Sequence, residues 1–158
     1  MKRIISLMIL VALSFSAFSC VRGEKTVDKS ADEMLDSIFT LCPTGELSVE
    51  RARLGSADAD EFAYHFFTEY SDKYKDVSIA MAKISSIPFF VGVVKADDAA
   101  SANALASKIK SGMNPSKWVC ATASSCLVEC YGNTVILIMD LDDSRAEAIK
   151  EAFYKSVK

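Results

Sequence analysis

The spacing of hydrophobic and polar positions changes along this chain, and each change predicts a different element. Ser30-Ala31-Asp32-Glu33 matches a capping box, and apolar residues at helical spacing follow it as far as Pro43-Thr44-Gly45. A second, short helix is predicted to begin at Asp58 and to carry His65, the only histidine of the chain. The segment 46–54 fits neither the helical nor the strand period, and its structure stays open at this point.

The rest of the chain predicts four strands and two further helices. Short runs rich in β-branched and aromatic residues predict strands at 77–84, 89–94, 127–131 and 134–140. Gly132-Asn133 separates the last two strands by two residues, which indicates a tight hairpin turn. Helices are predicted at 97–112 and 142–157, and a long connection at 113–125 contains Trp118.

This order predicts an α+β domain with two N-terminal helices, then ββαββα, and a four-stranded antiparallel sheet packed on helices. The last two helices are expected to cross one face of the sheet, as in a ferredoxin-like βαββαβ unit whose last strand has moved to the front. The run 135–139 is apolar at every position, so the second sheet face also needs a cover. Either the N-terminal helices or a partner would provide that cover.

The first nineteen residues have the pattern of an export signal rather than of a folded element. Lys2 and Arg3 are followed by sixteen uncharged, mostly apolar residues from Ile4 to Ser19. This run is shorter than the about 20 residues that a stable membrane span needs. We therefore expect residues 1–19 to be a signal peptide.

Ala17-Phe18-Ser19-Cys20 resembles the lipobox of bacterial lipoproteins, in which the cysteine receives lipid and becomes the new N-terminus. Residues 20–29 are polar and without periodicity, which is typical of a tether, and 30–158 would form a single domain. Ordinary secretion is the alternative, because Ala17 and Ser19 also fit the small-x-small rule for signal cleavage. The expected location is the outer face of the cell membrane, with Cys20 as the lipid attachment site.

Composition limits the classes of partner. The chain has 158 residues, 51% of them hydrophobic, and a net charge of −3. The leader carries Lys2 and Arg3 and no acidic residue, so the remainder has a net charge of −5. Nucleic-acid binding needs clustered positive charge, and we therefore expect no nucleic-acid partner. An acidic domain is not held to anionic headgroups by its own charge, so the lipid on Cys20 would supply the membrane attachment.

Four cysteines remain once Cys20 is assigned to lipid: Cys42, Cys120, Cys126 and Cys130. An even number outside the cytoplasm permits two disulfides, and buried free thiols are the alternative interpretation. Cys126 and Cys130 are expected on one strand about 13 Å apart, too far to pair with each other. Their spacing lacks the tight pair of cysteines found in structural zinc sites, so no metal or other cofactor is expected.

The sequence contains few candidates for catalysis. A nucleophilic cysteine activated by His65 would need both side chains to meet, which no spacing requires. The paired aspartates Asp97-Asp98 and Asp142-Asp143 are interpreted as helix caps rather than calcium ligands. Trp118 either anchors its connection to the core or lines a recognition surface.

Four features of the sequence together resemble a known family. They are the leader with Cys20, the early helices, the strand pair, and the hairpin Tyr131-Gly132-Asn133-Thr134, which leads into Val135-Ile136-Leu137-Ile138. It is a family of small lipoprotein-type domains of unknown function from Gram-positive anaerobic bacteria. The resemblance covers most of the chain after the leader and implies an exported or anchored domain without a known enzyme role. The group Cys120, Cys126 and Cys130 is not typical of that family.

Two hypotheses follow from these patterns. The first is an exported, lipid-anchored domain with a non-enzymatic binding or structural role at the cell surface. It would meet a protein partner, or a second copy of itself, through a sheet face. The alternative is a small exported thiol-dependent enzyme that uses a cysteine with His65.

Overall fold

The computed structural model describes residues 26–158. The predicted signal peptide, Cys20 and most of the predicted tether lie outside the described residues. The described part forms four α-helices, five strands and one 3-10 turn. In chain order these are α1 (Ala31–Leu41), β1 (Val49–Leu54), the 3-10 turn (Ser56–Asp58), α2 (Ala59–Phe66), β2 (Tyr74–Ala82), β3 (Phe89–Ala96), α3 (Ala99–Gly112), β4 (Ser125–Tyr131), β5 (Thr134–Asp140) and α4 (Asp143–Ser156).

The predicted α+β class is confirmed, and every strand pairs antiparallel with its neighbours in the order β1-β2-β3-β5-β4. The sheet has five strands, however, and the prediction of four was wrong. The additional strand, β1, lies at the sheet edge and pairs with β2 from Val49 opposite Ala82 to Leu54 opposite Val77. Edge strands tolerate outward charges, and the alternation of β1 covers only Ala52-Arg53-Leu54, because Val49 and Glu50 are out of phase with it.

Helices cover both faces of the sheet. Phe90 and Val94 of β3 point to a core shared with α2 and α3, whereas Val91 and Val93 point to a core shared with α1 and α4. In a ferredoxin-like arrangement both helices pack on one face, so the expectation that α3 and α4 share a face was wrong. The central strands β3 and β5 are apolar on both faces, and one helix layer cannot bury both. The expected cover for the second face comes from the chain itself, through α1 and α4.

The predicted helix caps are confirmed. Ser30 forms its capping box with Glu33 at the start of α1. Asp98 accepts a hydrogen bond from the Ser101 amide at 2.6 Å, and Asp142 accepts one from the Arg145 amide at 3.1 Å. Each satisfies an amide in the first turn of a helix that follows a central strand.

The predicted hairpin turn is also confirmed, and its asparagine joins three segments. Gly132 has a φ of +56°, which the turn requires. Asn133 is buried; its Oδ1 accepts a hydrogen bond from the Val27 amide at 3.1 Å, and its Nδ2 donates one to the Ala96 carbonyl at 3.2 Å. Val27 itself is buried in the core under α1 and α4. The end of the predicted tether therefore packs on the domain, beside the last residues of β3.

Gly92 lies in the middle of β3, where the ring of Phe66 from α2 packs against the strand. A Cβ at this position would lie 2.6 Å from Cζ of Phe66 and 2.8 Å from a ring carbon of Phe90. Both distances are well inside van der Waals contact, so the glycine makes room for the aromatic ring of α2.

We predict that Gly92→Ala destabilises the protein by about 1–3 kcal/mol, because the added methyl group overpacks the core. Adding Phe66→Leu removes the opposing ring atoms, so the double variant should lose less stability than the sum of the two single changes. Urea unfolding monitored by circular dichroism measures these differences. Gly55→Ala is the control, since its Cβ would meet only Asp58 Oδ2, at 3.9 Å. Additive losses would contradict the proposed packing.

Candidate functional site

A half-open pocket of about 160 Å³ lies at one end of the sheet. It is bounded by the end of β2, the start of β3, helix α2 and the connection 113–124. Its apolar wall is formed by Tyr64, Met81, Phe89, Phe90 and Trp118, and its polar groups belong to Glu50, His65, Lys83, Ser85 and Lys117. Aromatic walls with a few converging polar groups are typical of a small-molecule site.

Lys117 projects its amine among aromatic rings. The Nζ atom lies 4.1 Å from the ring centroid of Phe90 and 5.0 Å from that of Trp118. The rings of Phe67 and Tyr64 follow at 5.4 and 5.5 Å. These contacts stabilise an ammonium group by cation–π attraction, although they replace only part of its hydration.

His65 is the closest polar neighbour of this amine. Its Nδ1 lies 3.3 Å from Lys117 Nζ, and its ring stacks on Phe90 with a centroid distance of 4.9 Å. On the other side of the ring, Nε2 lies 3.8 Å from Oε1 of Glu61. Since the lysine amine donates, this geometry favours the tautomer in which Nδ1 accepts and Nε2 carries the proton.

Burial disfavours the charged forms of both bases. It lowers the pKa of the Lys117 amine from its ordinary 10.5 to about 7. It also lowers the pKa of His65 from 6.5 to about 4, with a further contribution from the positive charge of Lys117. At neutral pH His65 is therefore uncharged, and a large fraction of Lys117 is a neutral amine.

Helix α2 positions His65 because its neighbours anchor the helix in the core. Phe62 and Phe66 are fully buried, and their stacked rings lie 4.6 Å apart. The helix ends at Phe67, whose left-handed φ of 57° turns the chain away while its amide donates to the Ala63 carbonyl at 2.9 Å. His65, only 6% exposed, is thus held between the core and the pocket.

The connection 113–124 supplies Lys117 and Trp118 to the pocket. Its two ends are held together by the Ala123 amide, which donates to the Pro115 carbonyl at 3.0 Å. The half-buried Trp118 packs on the core under α2 and α3 and also lines the pocket. Trp118 therefore anchors its connection and also forms part of the pocket wall, whereas a role in recognition stays a prediction.

The cysteines are distributed over both sides of the sheet. Cys42 packs against the core under α1 and α4, Cys126 and Cys130 on β4 pack against the opposite core, and Cys120 is exposed in the connection. Within residues 26–158 no disulfide joins two of these cysteines. Disulfide formation in the exported protein stays a prediction.

The contact between a cysteine and His65 that the alternative hypothesis requires does not appear in the described residues. The ring nitrogens of His65 face Lys117 and Glu61, and no hydrogen bond or ion pair between His65 and a cysteine occurs within 26–158. Cys126 interacts electrostatically with Lys117, but burial has the larger effect and raises the pKa of this thiol. A raised pKa keeps the thiol protonated and poorly nucleophilic.

Lys117 was not among the residues that the sequence pattern singled out. Its position beside Trp118, in a connection otherwise made of small and polar residues, is the only local signal for it. A lysine in a loop is normally solvated, and only the approach of α2 to the start of β3 surrounds this one with rings.

In the part of the chain that the structure describes, no three His, Cys, Asp or Glu side chains are grouped so that they could hold a metal ion. None of the helices in this part combines the length and the apolar character needed to cross a bilayer. Comparison with protein-family models, curated proteins and solved structures finds no match to this chain.

We predict that Lys117 makes folding stability rise with pH between about 7 and 9. In the unfolded chain Lys117 has its ordinary pKa of 10.5 and stays protonated throughout this range. In the folded protein its pKa is about 7, so it loses the proton there. The unfolded state therefore binds more protons, and stability increases as pH rises. Urea unfolding across this range should show the rise in the wild type and a much smaller rise in Lys117→Met. The exposed Lys110→Met is the control, and equal pH profiles for all three proteins would contradict the prediction.

Proposed function

We propose that this protein is an exported, lipid-anchored domain that binds a small carboxylate with an apolar body in the pocket around Lys117. The role is binding rather than catalysis, and it takes place at the outer face of the cell membrane. The leader and Cys20 support the export and the anchor. The aromatic pocket supports the ligand class.

The observation that carries the proposal is an amine without a counter-ion. Within residues 26–158 no carboxylate lies within ion-pair distance of Lys117 Nζ, and its nearest polar partner is the uncharged His65. Lys117 is half-buried, and an ammonium removed from much of its water normally has an anionic partner, because its desolvation is otherwise uncompensated. A ligand carboxylate in the pocket would provide that partner.

The charges of the pocket favour the same ligand. The pocket wall includes two lysine side chains, Lys83 and Lys117, and one carboxylate, that of Glu50. The ring surfaces of Phe89, Phe90 and Trp118 would contact an aromatic or branched body, which has no charge to desolvate.

The position of the pocket agrees with an anchored binding domain. The pocket adjoins Phe89 at the start of β3, whereas Val27 joins the domain beside Ala96 at the end of the same strand. Seven residues of strand separate these points by roughly 23 Å. A tether running from Cys20 to Val27 would leave the pocket at the end away from the membrane.

The thiol-dependent enzyme receives no comparable support from the described residues. Burial raises the pKa values of Cys42 and Cys126, and the histidine meant to activate a thiol contacts Lys117 instead.

We predict that benzoate binds in this pocket and changes the fluorescence of Trp118, the single tryptophan of the chain. Lys117→Met should weaken benzoate binding by about 10- to 100-fold, the usual effect of losing a hydrogen bond to a charged group. Titration followed by tryptophan emission measures both affinities.

Two controls distinguish recognition of the carboxylate charge from nonspecific hydrophobic binding. Lys110→Met should leave benzoate affinity unchanged, because Lys110 is an exposed residue of α3. Benzamide has the same shape without the charge and should bind much more weakly than benzoate. Equal affinities for benzoate and benzamide, or an unchanged affinity of the Lys117→Met variant, would refute the proposed ligand class.

We predict that Cys20→Ala releases the protein from membranes when it is produced in a bacterium that processes lipoproteins. The wild type should sediment with membranes and have an intact mass that corresponds to loss of residues 1–19 plus lipid. Cys42→Ala should behave like the wild type. Membrane association of the Cys20→Ala protein, or a wild-type mass that still includes Met1, would show that the anchor is wrongly assigned.

A further inference from the structure

We propose that Lys117 forms an imine with a small aldehyde that carries a carboxylate, so that the pocket captures its ligand covalently and reversibly. This inference rests on the proposed function, because it uses the same pocket and the same ligand charge. The ligand inferred here has, in addition, a carbonyl group that faces Lys117, and its carboxylate faces Lys83.

The position of the amine supports this chemistry. Nζ of Lys117 lines the pocket and is enclosed by rings, with the nearest centroid, that of Phe90, at 4.1 Å. A neutral amine that donates one N–H to Nδ1 of His65 keeps its lone pair for attack on a carbonyl carbon. Lysines placed in apolar surroundings are the usual imine-forming residues.

The amine also has the required protonation state. With a pKa of about 7, roughly half of Lys117 is neutral at pH 7. For a lysine with the ordinary pKa near 10.4, the neutral fraction is roughly a thousand times smaller. Surface lysines should therefore compete poorly for a limiting aldehyde.

The groups around Lys117 can complete the reaction. The amine lone pair forms the new N–C bond while the carbonyl π electrons move to oxygen, giving a carbinolamine. His65 Nδ1, 3.3 Å from Nζ, is placed to accept the proton that nitrogen loses and to pass it to the oxygen. The second N–H proton is then transferred to the hydroxyl group, which leaves as water while the nitrogen lone pair forms C=N. Atoms and charges therefore balance without an oxidant or reductant.

Glu61 orients the histidine in this scheme. Its carboxylate lies 3.8 Å from Nε2 and favours the proton on that nitrogen, which leaves Nδ1 as the acceptor. Glu61 is therefore a positioning residue, His65 carries the proton, and Lys117 is the residue that bonds to the ligand.

The test is trapping of the imine with 4-carboxybenzaldehyde and borohydride at pH 7. Reduction converts the imine to a stable secondary amine, so the protein gains the mass of the aldehyde less one oxygen atom. We expect one addition, assigned to Lys117 by peptide mapping, with labelling at least about 100-fold faster than at any other lysine.

Two variants and one competitor locate the reaction. Lys117→Arg keeps the positive charge but cannot form the imine, and it should lose the addition while its circular dichroism spectrum stays that of a folded protein. Lys83→Arg should keep the addition at Lys117. Benzoate in excess should slow the labelling, because it occupies the same pocket.

The outcomes separate this inference from the function on which it rests. A single reduced adduct at Lys117 supports covalent capture. Benzoate binding without an adduct, or labelling spread evenly over surface lysines, overturns the inference and leaves carboxylate binding intact. Absence of both benzoate binding and an adduct overturns both proposals.

Discussion

The ring of Phe90, the second residue of β3, connects the core to the pocket. Its edge meets Phe66 of α2, with ring centroids 5.7 Å apart, and this contact belongs to the core. One face stacks on His65 at 4.9 Å, and Lys117 Nζ lies 4.1 Å from the same ring. Because Gly92 leaves room for Phe66, α2 can approach the sheet closely enough to bring His65 to the ring. The geometry of the pocket therefore depends on the packing of α2 against β3.

The pocket holds the amine of Lys117, whose loss of hydration is only partly compensated by its neighbours. Removing an ammonium group from water is unfavourable, and cation–π attraction to aromatic rings offsets only part of that free energy. The protein has two ways to reduce it: the amine of Lys117 gives up its proton, or an anion enters. The first produces a nucleophile near neutral pH, and the second produces an ion pair. The proposed carboxylate binding and the proposed imine formation therefore share one physical cause, the partial burial of Lys117 beside an uncharged His65.

Much of the fold could be predicted from the sequence because its signals are local. The cap at Asp98, the turn at Gly132 and the apolar run of β5 each depend on adjacent residues, and all three were confirmed. Edge strand β1 was missed, since its alternation covers only Ala52-Arg53-Leu54, with Val49 and Glu50 out of phase. The faces chosen by α3 and α4 depend on packing across the sheet. Lys117 was missed for the same reason, because all the rings around it except that of Trp118 come from α2, its C-cap Phe67 and β3.

The exposed apolar residues add a further constraint on the pocket end of the domain. Within the described residues, the large hydrophobic side chains that are mostly exposed are Leu41, Tyr64, Ile84, Val119 and Leu141. Each lies at or next to the sheet end that holds the pocket, and Val119, 97% exposed, follows Trp118 directly. Core packing does not require them there, because both sheet faces are already covered. Of these side chains, Tyr64 lines the pocket and Val119 follows Trp118 of its wall, whereas the opposite end of the sheet is occupied by the docked segment at Val27.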